Sequence, residues 1–99
     1  MERDNKFESV RMNKSSQINI GKKRCRRAGI TLGDGVEVEV TIWKQKEYGA
    51  GALFYKYRRE LGDSLKLYVP SEVRDKLEMY GPTDVEIKLS PVSGLDVFF

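Results

Sequence analysis

At 99 residues, 39% hydrophobic and 33% charged, the chain suits one domain of residues 1–99. No apolar run nears the ~20 residues of a membrane span, and the polar Met1–Lys6 carries no secretory signal. The lone Cys25 excludes an internal disulfide and suggests a reducing cytoplasm; with no histidine, the commonest general base and transition-metal ligand are absent, so no enzyme, metal or cofactor is expected.

The first strand is expected around Phe7–Met12, and the second is marked by the alternation of Ile18 and Ile20. A short helix follows at about Lys22–Ala28, with Gly29 placed to end it as a left-handed cap. The turn Leu32-Gly33-Asp34-Gly35 leads into a strongly alternating strand, Val36 to Ile42. Its period of two puts Val36, Val38, Val40 and Ile42 inside and Glu37, Glu39 and Thr41 outside. Trp43 closes that strand as core or hinge packing, and Gly49-Ala50-Gly51-Ala52 reads as a hinge.

The same order then returns: a strand at Leu53–Leu61, a second with Leu65, Leu67 and Val69, and a helix at Ser71–Met79. Pro70 suits the start of that helix, and Val73 and Leu77 share one of its faces. After Gly81-Pro82-Thr83-Asp84 comes the alternating Val85–Leu89, and Val97-Phe98-Phe99 is placed to add an edge strand. A shift of 49 residues lays Met12 on Leu61, Ile18 on Leu67, Ile20 on Val69, Val38 on Ile87 and Val40 on Leu89, apolar on apolar without a gap. The reading is therefore a tandem β-β-α-β repeat, about 7–48 and 53–96.

Three stretches of copy one carry a family pattern: Gln17-Ile18-Asn19-Ile20-Gly21, Arg26-Arg27-Ala28-Gly29-Ile30 and Gly33-Asp34-Gly35-Val36-Glu37-Val38. Copy two carries it in Leu67-Tyr68-Val69-Pro70-Ser71-Glu72-Val73-Arg74 and Asp84-Val85-Glu86-Ile87. Together these resemble the AbrB-like (SpoVT/AbrB) family of DNA-binding regulators and antitoxins, or a related cradle-loop barrel. The resemblance implies a mostly β fold with two short helices, closing a small barrel of six to eight strands. With two copies in one chain, it implies a monomer with a pseudo-dimeric barrel, a homodimer being the alternative. Copy one departs from the pattern at Gly21, in place of proline, and at Arg24, in place of an apolar residue. Either its helix turns Cys25 and Ala28 inward or it packs loosely. Copy two has Glu78 in place of the helix-ending glycine.

Charge is uneven: residues 1–49 sum to +4 and residues 50–99 to −1, with five cations in the seven residues Gly21–Arg27. Such a block favours phosphate, because arginine offers planar bidentate donors and lysine a point charge. The resemblance adds Arg11 and Arg26 in copy one, and Arg59, Lys66 and Arg74 in copy two, as DNA-contacting positions. The candidate nucleic-acid-binding set is Arg11, Lys14, Lys22, Lys23, Arg24, Arg26, Arg27, Arg59, Lys66 and Arg74. The expected function is a DNA-binding transcription regulator contacting duplex DNA. The alternative is an antitoxin-like or adaptor module of the same fold, whose basic helix meets an acidic protein partner. Cys25 reads as a small core filler, or as a thiolate if exposed among the cations. Tyr55, Tyr57 and Tyr68 alternate with Lys56, Arg58 and Arg59 either as core and cross-strand pairs or as a stacking surface for single strands.

Overall fold

The structure, a computed structural model, describes residues 7–33, 36–62 and 64–92. Six strands and two short helices follow in the expected order. They are β1 (Glu8–Met12), β2 (Gln17–Asn19), α1 (Gly21–Arg27), β3 (Glu37–Gln45), β4 (Ala52–Glu60), β5 (Lys66–Tyr68), α2 (Ser71–Lys76) and β6 (Thr83–Pro91). Asp34, Gly35 and the Val97-Phe98-Phe99 segment lie outside the described residues.

The strands form one antiparallel sheet in the order β4-β3-β6-β1-β2-β5, curled into a half-barrel. Among the described residues the strands do not close a barrel by hydrogen bonds: the two edge strands, β4 and β5, meet through side chains. Tyr57 Oη donates to the Tyr68 carbonyl at 3.2 Å. The Arg59 guanidinium lies 5.2 Å from the centre of the Tyr68 ring. The reason is local: β4 keeps its register on β3 past its own end, with Leu61 N–H donating to the Val36 carbonyl at 2.8 Å. β5 is only three residues long, bounded by Leu65 at φ +56° and by Pro70, which lacks an N–H.

Four ladders, β1–β6, β2–β5, β3–β4 and β3–β6, join the first half of the chain to the second, and two of them are centred on one spacing. β2 pairs with β5 about Ile18 and Leu67, and β3 with β6 about Val40 and Leu89; each of these pairs is 49 residues apart. Ile20 N–H donates to the Leu65 carbonyl (3.0 Å) and Val69 N–H to the Ser16 carbonyl (2.8 Å), the same bond with the halves exchanged. Ser16 and Leu65 share a left-handed φ (62° and 56°), and so do Gly29 and Glu78 (79° and 58°). β4 departs from this spacing. Ile87 faces Glu8 but Val38 faces Arg59, two residues beyond the position 49 after Glu8. A slip of two keeps every side chain on its own face, so the core survives it.

That core is built from both halves: Met12, Ile18, Ile20, Val38, Val40, Ile42, Leu61, Leu67, Val69, Val85 and Ile87 from strands and their flanks, Cys25, Val73 and Leu77 from the helices. Burial along β3 alternates as expected for Val38, Val40 and Ile42, while Val36 is half-buried against the cluster. Trp43 is not in the core. It shares the outer parity of Glu39 and Thr41 and faces the exposed Phe54 of β4.

The helices differ by one position. In α2, Val73 is buried and Arg74 reaches back to donate to the Val69 carbonyl at 3.0 Å. In α1 the order is reversed: Cys25 is the buried residue, and Arg24 donates to the Ile20 carbonyl at 3.2 Å. Of the two arrangements open to α1, the structure takes the one in which Cys25 faces inward and Ala28 packs on the core. Gly21 stands at φ +79°, a value closed to proline, which is why α1 does not begin as α2 does at Pro70. Both helices end alike, with Ile30 N–H on the Cys25 carbonyl (2.9 Å) and Met79 N–H on the Arg74 carbonyl (2.8 Å). Glu78 holds without help the conformation that Gly29 adopts freely.

Two outcomes test this account. Glu78→Gly removes a left-handed strain of about 1 kcal/mol and raises the melting temperature by several degrees, whereas Gly29→Ala lowers it. Val38→Asp and Ile87→Asp each unfold the whole domain in circular dichroism, since both side chains lie in one shared core.

Candidate nucleic-acid interface

α1 exposes Lys22, Lys23 and Arg26, and turns Arg24 and Arg27 back onto β1. Glu8 receives both: Arg24 Nε at 2.9 Å and Arg27 Nη2 at 2.7 Å on the same carboxylate oxygen, with Arg27 Nε at 3.3 Å on the other. The Arg27 hydrogen bond leads the causes that hold the Glu8 carboxyl below its ordinary range; partial burial opposes it, and the charges of Arg27 and Arg24 add to it. Two of the five cations of Gly21–Arg27 therefore hold the helix to the sheet. The other three make no salt bridge among the described residues.

The chain enters α1 directly from β2, so the helix adjoins one end of the β2–β5 ladder. There Asn19 faces Lys66, and both are exposed; at the other end Gln17 faces Tyr68. Ile18 and Leu67 between them point inward and are fully buried. The outer face of β2–β5 thus carries Asn19, Lys66, Gln17 and Tyr68 in sequence, with Arg59 stacked over the Tyr68 ring. Lys14, in the turn between β1 and β2, is exposed beside it. This surface and the outer side of α1 gather Lys14, Lys22, Lys23, Arg26, Arg59 and Lys66.

The remaining candidates lie elsewhere or are occupied. Arg11 bonds Asp84 across β1–β6 at 2.8 Å, on a different part of the sheet. Arg74 is half-buried as the cap of Val69. Tyr55 and Tyr57 are half-buried against the core with ring centres 6.3 Å apart. Burial pushes the Tyr57 phenol upward, against a smaller opposite pull from Arg59. Of the three tyrosines singled out in the sequence, Tyr68 alone offers its ring to solvent. Cys25 is fully buried and burial raises its thiol, which makes it a core filler. The stacking of Arg59 on Tyr68 was not legible from the chain, because it joins two strands across the seam.

Among the described residues no group of three or more acidic, cysteine or histidine side chains is placed to hold a metal, and no helix is long and apolar enough to cross a membrane. No protein-family model and no curated protein matches the chain. A solved structure does: the solution structure of PHS018 from Pyrococcus horikoshii is 18% identical, with a TM-score of 0.71 over 92% of this chain and 94% of that one. At that identity the likeness concerns the fold.

The Glu8 cluster gives a pH dependence. The folded carboxyl titrates below its ordinary 4.5, so its stabilising effect is full above that value and is lost as the pH falls through the lower, folded one. Denaturant melts should therefore show Glu8→Gln less stable than the parent at pH 7, with the gap closing on acidification below pH 4.5. Arg24→Ala should also lose stability, because the side chain bridges Glu8 and the Ile20 carbonyl.

Proposed function

We propose that the protein binds duplex DNA through the outer side of α1 and the adjoining face of β2–β5, as a small regulator of the AbrB-like or cradle-loop kind. The observation that carries the reading is the set Lys22, Lys23, Arg26 and Lys66: four exposed cations without a salt bridge among the described residues, grouped around one end of one ladder. Cations held neither by carboxylates nor by packing are available to phosphate oxygens. Asn19 and Gln17 offer amides between them, of the type that reads base edges. The Arg59 guanidinium lies over the Tyr68 ring at the far end. The two halves act as tandem repeats of a β-β-α-β unit about a pseudo-twofold axis through the Ile18–Leu67 and Val40–Leu89 pairs. That leaves copy one with the cations and copy two, with Glu72 and Asp75 on its helix, with few, so binding is one-sided. The barrel core belongs to one chain, and the binding unit is the monomer.

Fluorescence anisotropy with a labelled duplex at several salt concentrations tests this. The parent should lose affinity steeply with salt, with a slope of about −0.9 per neutralised phosphate. A Lys22→Ala, Lys23→Ala, Arg26→Ala triple variant should stay folded, bind more weakly and show a slope shallower by about one unit for each phosphate it no longer neutralises. Asp75→Ala should bind as well as the parent or better. A folded triple variant with the parent's affinity would leave an acidic protein partner as the better reading of the same surface.

A further inference from the structure

The ladder between β3 and β6 stops at Trp43 and Glu86. Beyond that point β3 continues to Gln45 paired only with β4, and β6 runs back to Thr83 paired only with β1. The sheet therefore splits into two arms with an open cleft between them. Two adjoining hollows fill it, of about 570 Å³ and about 740 Å³, within the size range of small-molecule sites. They share Arg11 and Asp84. One wall carries Trp43, Lys44 and, past the strand end, Tyr48; the other carries Glu86 and Tyr80.

Lys44 is the anomaly. It occupies the inward position that follows Val38, Val40 and Ile42, where the alternation calls for an apolar side chain. It is 7% exposed, and its ammonium donates to its neighbour's carbonyl, Gln45 O, at 3.3 Å. No described carboxylate lies within salt-bridge distance of it. An ammonium with no carboxylate partner is free to take an anionic ligand, and this one lines the first hollow. The second observation is independent: Tyr48 and Tyr80, 85% and 76% exposed, are the barest large aromatics among the described residues, and both border the second hollow. Rings this exposed among the described residues offer stacking faces to a flat ligand. Between the two lies the Arg11–Asp84 pair, which presents one donor and one acceptor group. Charges balance in the first hollow, Arg11 and Lys44 against Asp84 and Glu86, while the second is net acidic, Arg11 and Lys46 against Glu47, Glu78 and Asp84. A polyphosphate or a duplex is disfavoured along such walls, and a single phosphate finds an uncommitted cation at the Lys44 end.

We propose that this cleft is a small-molecule site for a nucleoside monophosphate, its base against Tyr48 and Tyr80, its ribose hydroxyls on Asp84, and its phosphate on Lys44 and Arg11. The site is separate from the basic surface of α1, and its occupancy is independent of the DNA-binding reading.

Trp43 is the only tryptophan of the chain and lines the cleft, so its fluorescence reports occupancy. The full chain is titrated with AMP, GMP, CMP and UMP, and with the corresponding nucleosides. At least one monophosphate should give a saturable change with a dissociation constant below ~1 mM, and its nucleoside should bind about tenfold more weakly or worse. Lys44→Met keeps the length of the side chain and removes the charge. It should stay folded and bind the nucleotide no better than the nucleoside. Tyr80→Ala, on an exposed ring, should stay folded, weaken nucleotide and nucleoside alike, and leave duplex affinity unchanged. The proposal is overturned if no monophosphate saturates the signal at ~10 mM, if nucleoside and nucleotide bind equally, or if either variant binds like the parent. A fault in the DNA reading would show instead in the Lys22, Lys23 and Arg26 variant, without touching this titration.

Discussion

Everything in this fold hangs on the antiparallel ladders that tie the first half of the chain to the second. Neither half owns a core. Ile18 needs Leu67 across β2–β5, and Val40 needs Leu89 across β3–β6. Each half brings about one apolar face of three strands and a helix of six or seven residues, too little surface to bury alone. Pairing the halves through backbone hydrogen bonds fixes the register, and the register decides which side chains go in. The ladders also place the two proposed surfaces. β2–β5 sets Asn19 beside Lys66 at the foot of α1, and the point where β3–β6 gives out opens the cleft that Lys44 lines.

Much of this architecture was legible in the chain because it rests on short-range periodicity. Alternation in Val36–Ile42 and Val85–Leu89 located β3 and β6 and the faces they bury, and Gly29 and Pro70 marked helix boundaries by backbone chemistry alone. What escaped was set by geometry between elements. Trp43 ends an apolar-looking run, yet its parity with Glu39 and Thr41 turns it outward. The hydrogen-bonded closure expected of a barrel gives way to a side-chain seam at Tyr57, Arg59 and Tyr68. No local pattern records that β4 holds β3's register to Leu61. The charge block was visible as composition, but the sequence could not say that Arg24 and Arg27 would be taken up by Glu8, sixteen and nineteen residues earlier.

The contrast between the helices shows how one exchange of neighbours redirects a surface. α2 reads Val73-Arg74, α1 reads Arg24-Cys25, and in each the apolar member is buried while the arginine caps the carbonyl at the end of the preceding strand. The exchange moves the buried position of α1 one residue along, about 100° around the helix axis. Its outward side is then Lys22, Lys23 and Arg26, where α2 presents Ser71, Glu72, Asp75 and Lys76. The chain thereby gains one basic helix face and one mixed helix face. The difference needs no change in topology, only a small residue, Cys25, that fits where a valine would otherwise pack.

The same logic explains why the two proposed sites can coexist in so small a domain. A surface for duplex phosphate must leave its cations solvated and unpaired, which is possible only away from packing; it therefore sits on a helix face and a short ladder. A site for a small ligand needs a concave gap in packing with a few polar groups on its walls. In a curled sheet such a gap arises where a ladder ends before its strands do, as it does between β3 and β6. β3 and β6 are both nine residues long but pair over only six. The unpaired lengths at Lys44–Gln45 and Thr83–Val85 leave room between the arms. In an inward row otherwise occupied by valine and isoleucine, Lys44 is the residue that turns this gap from a packing defect into a place for an anion.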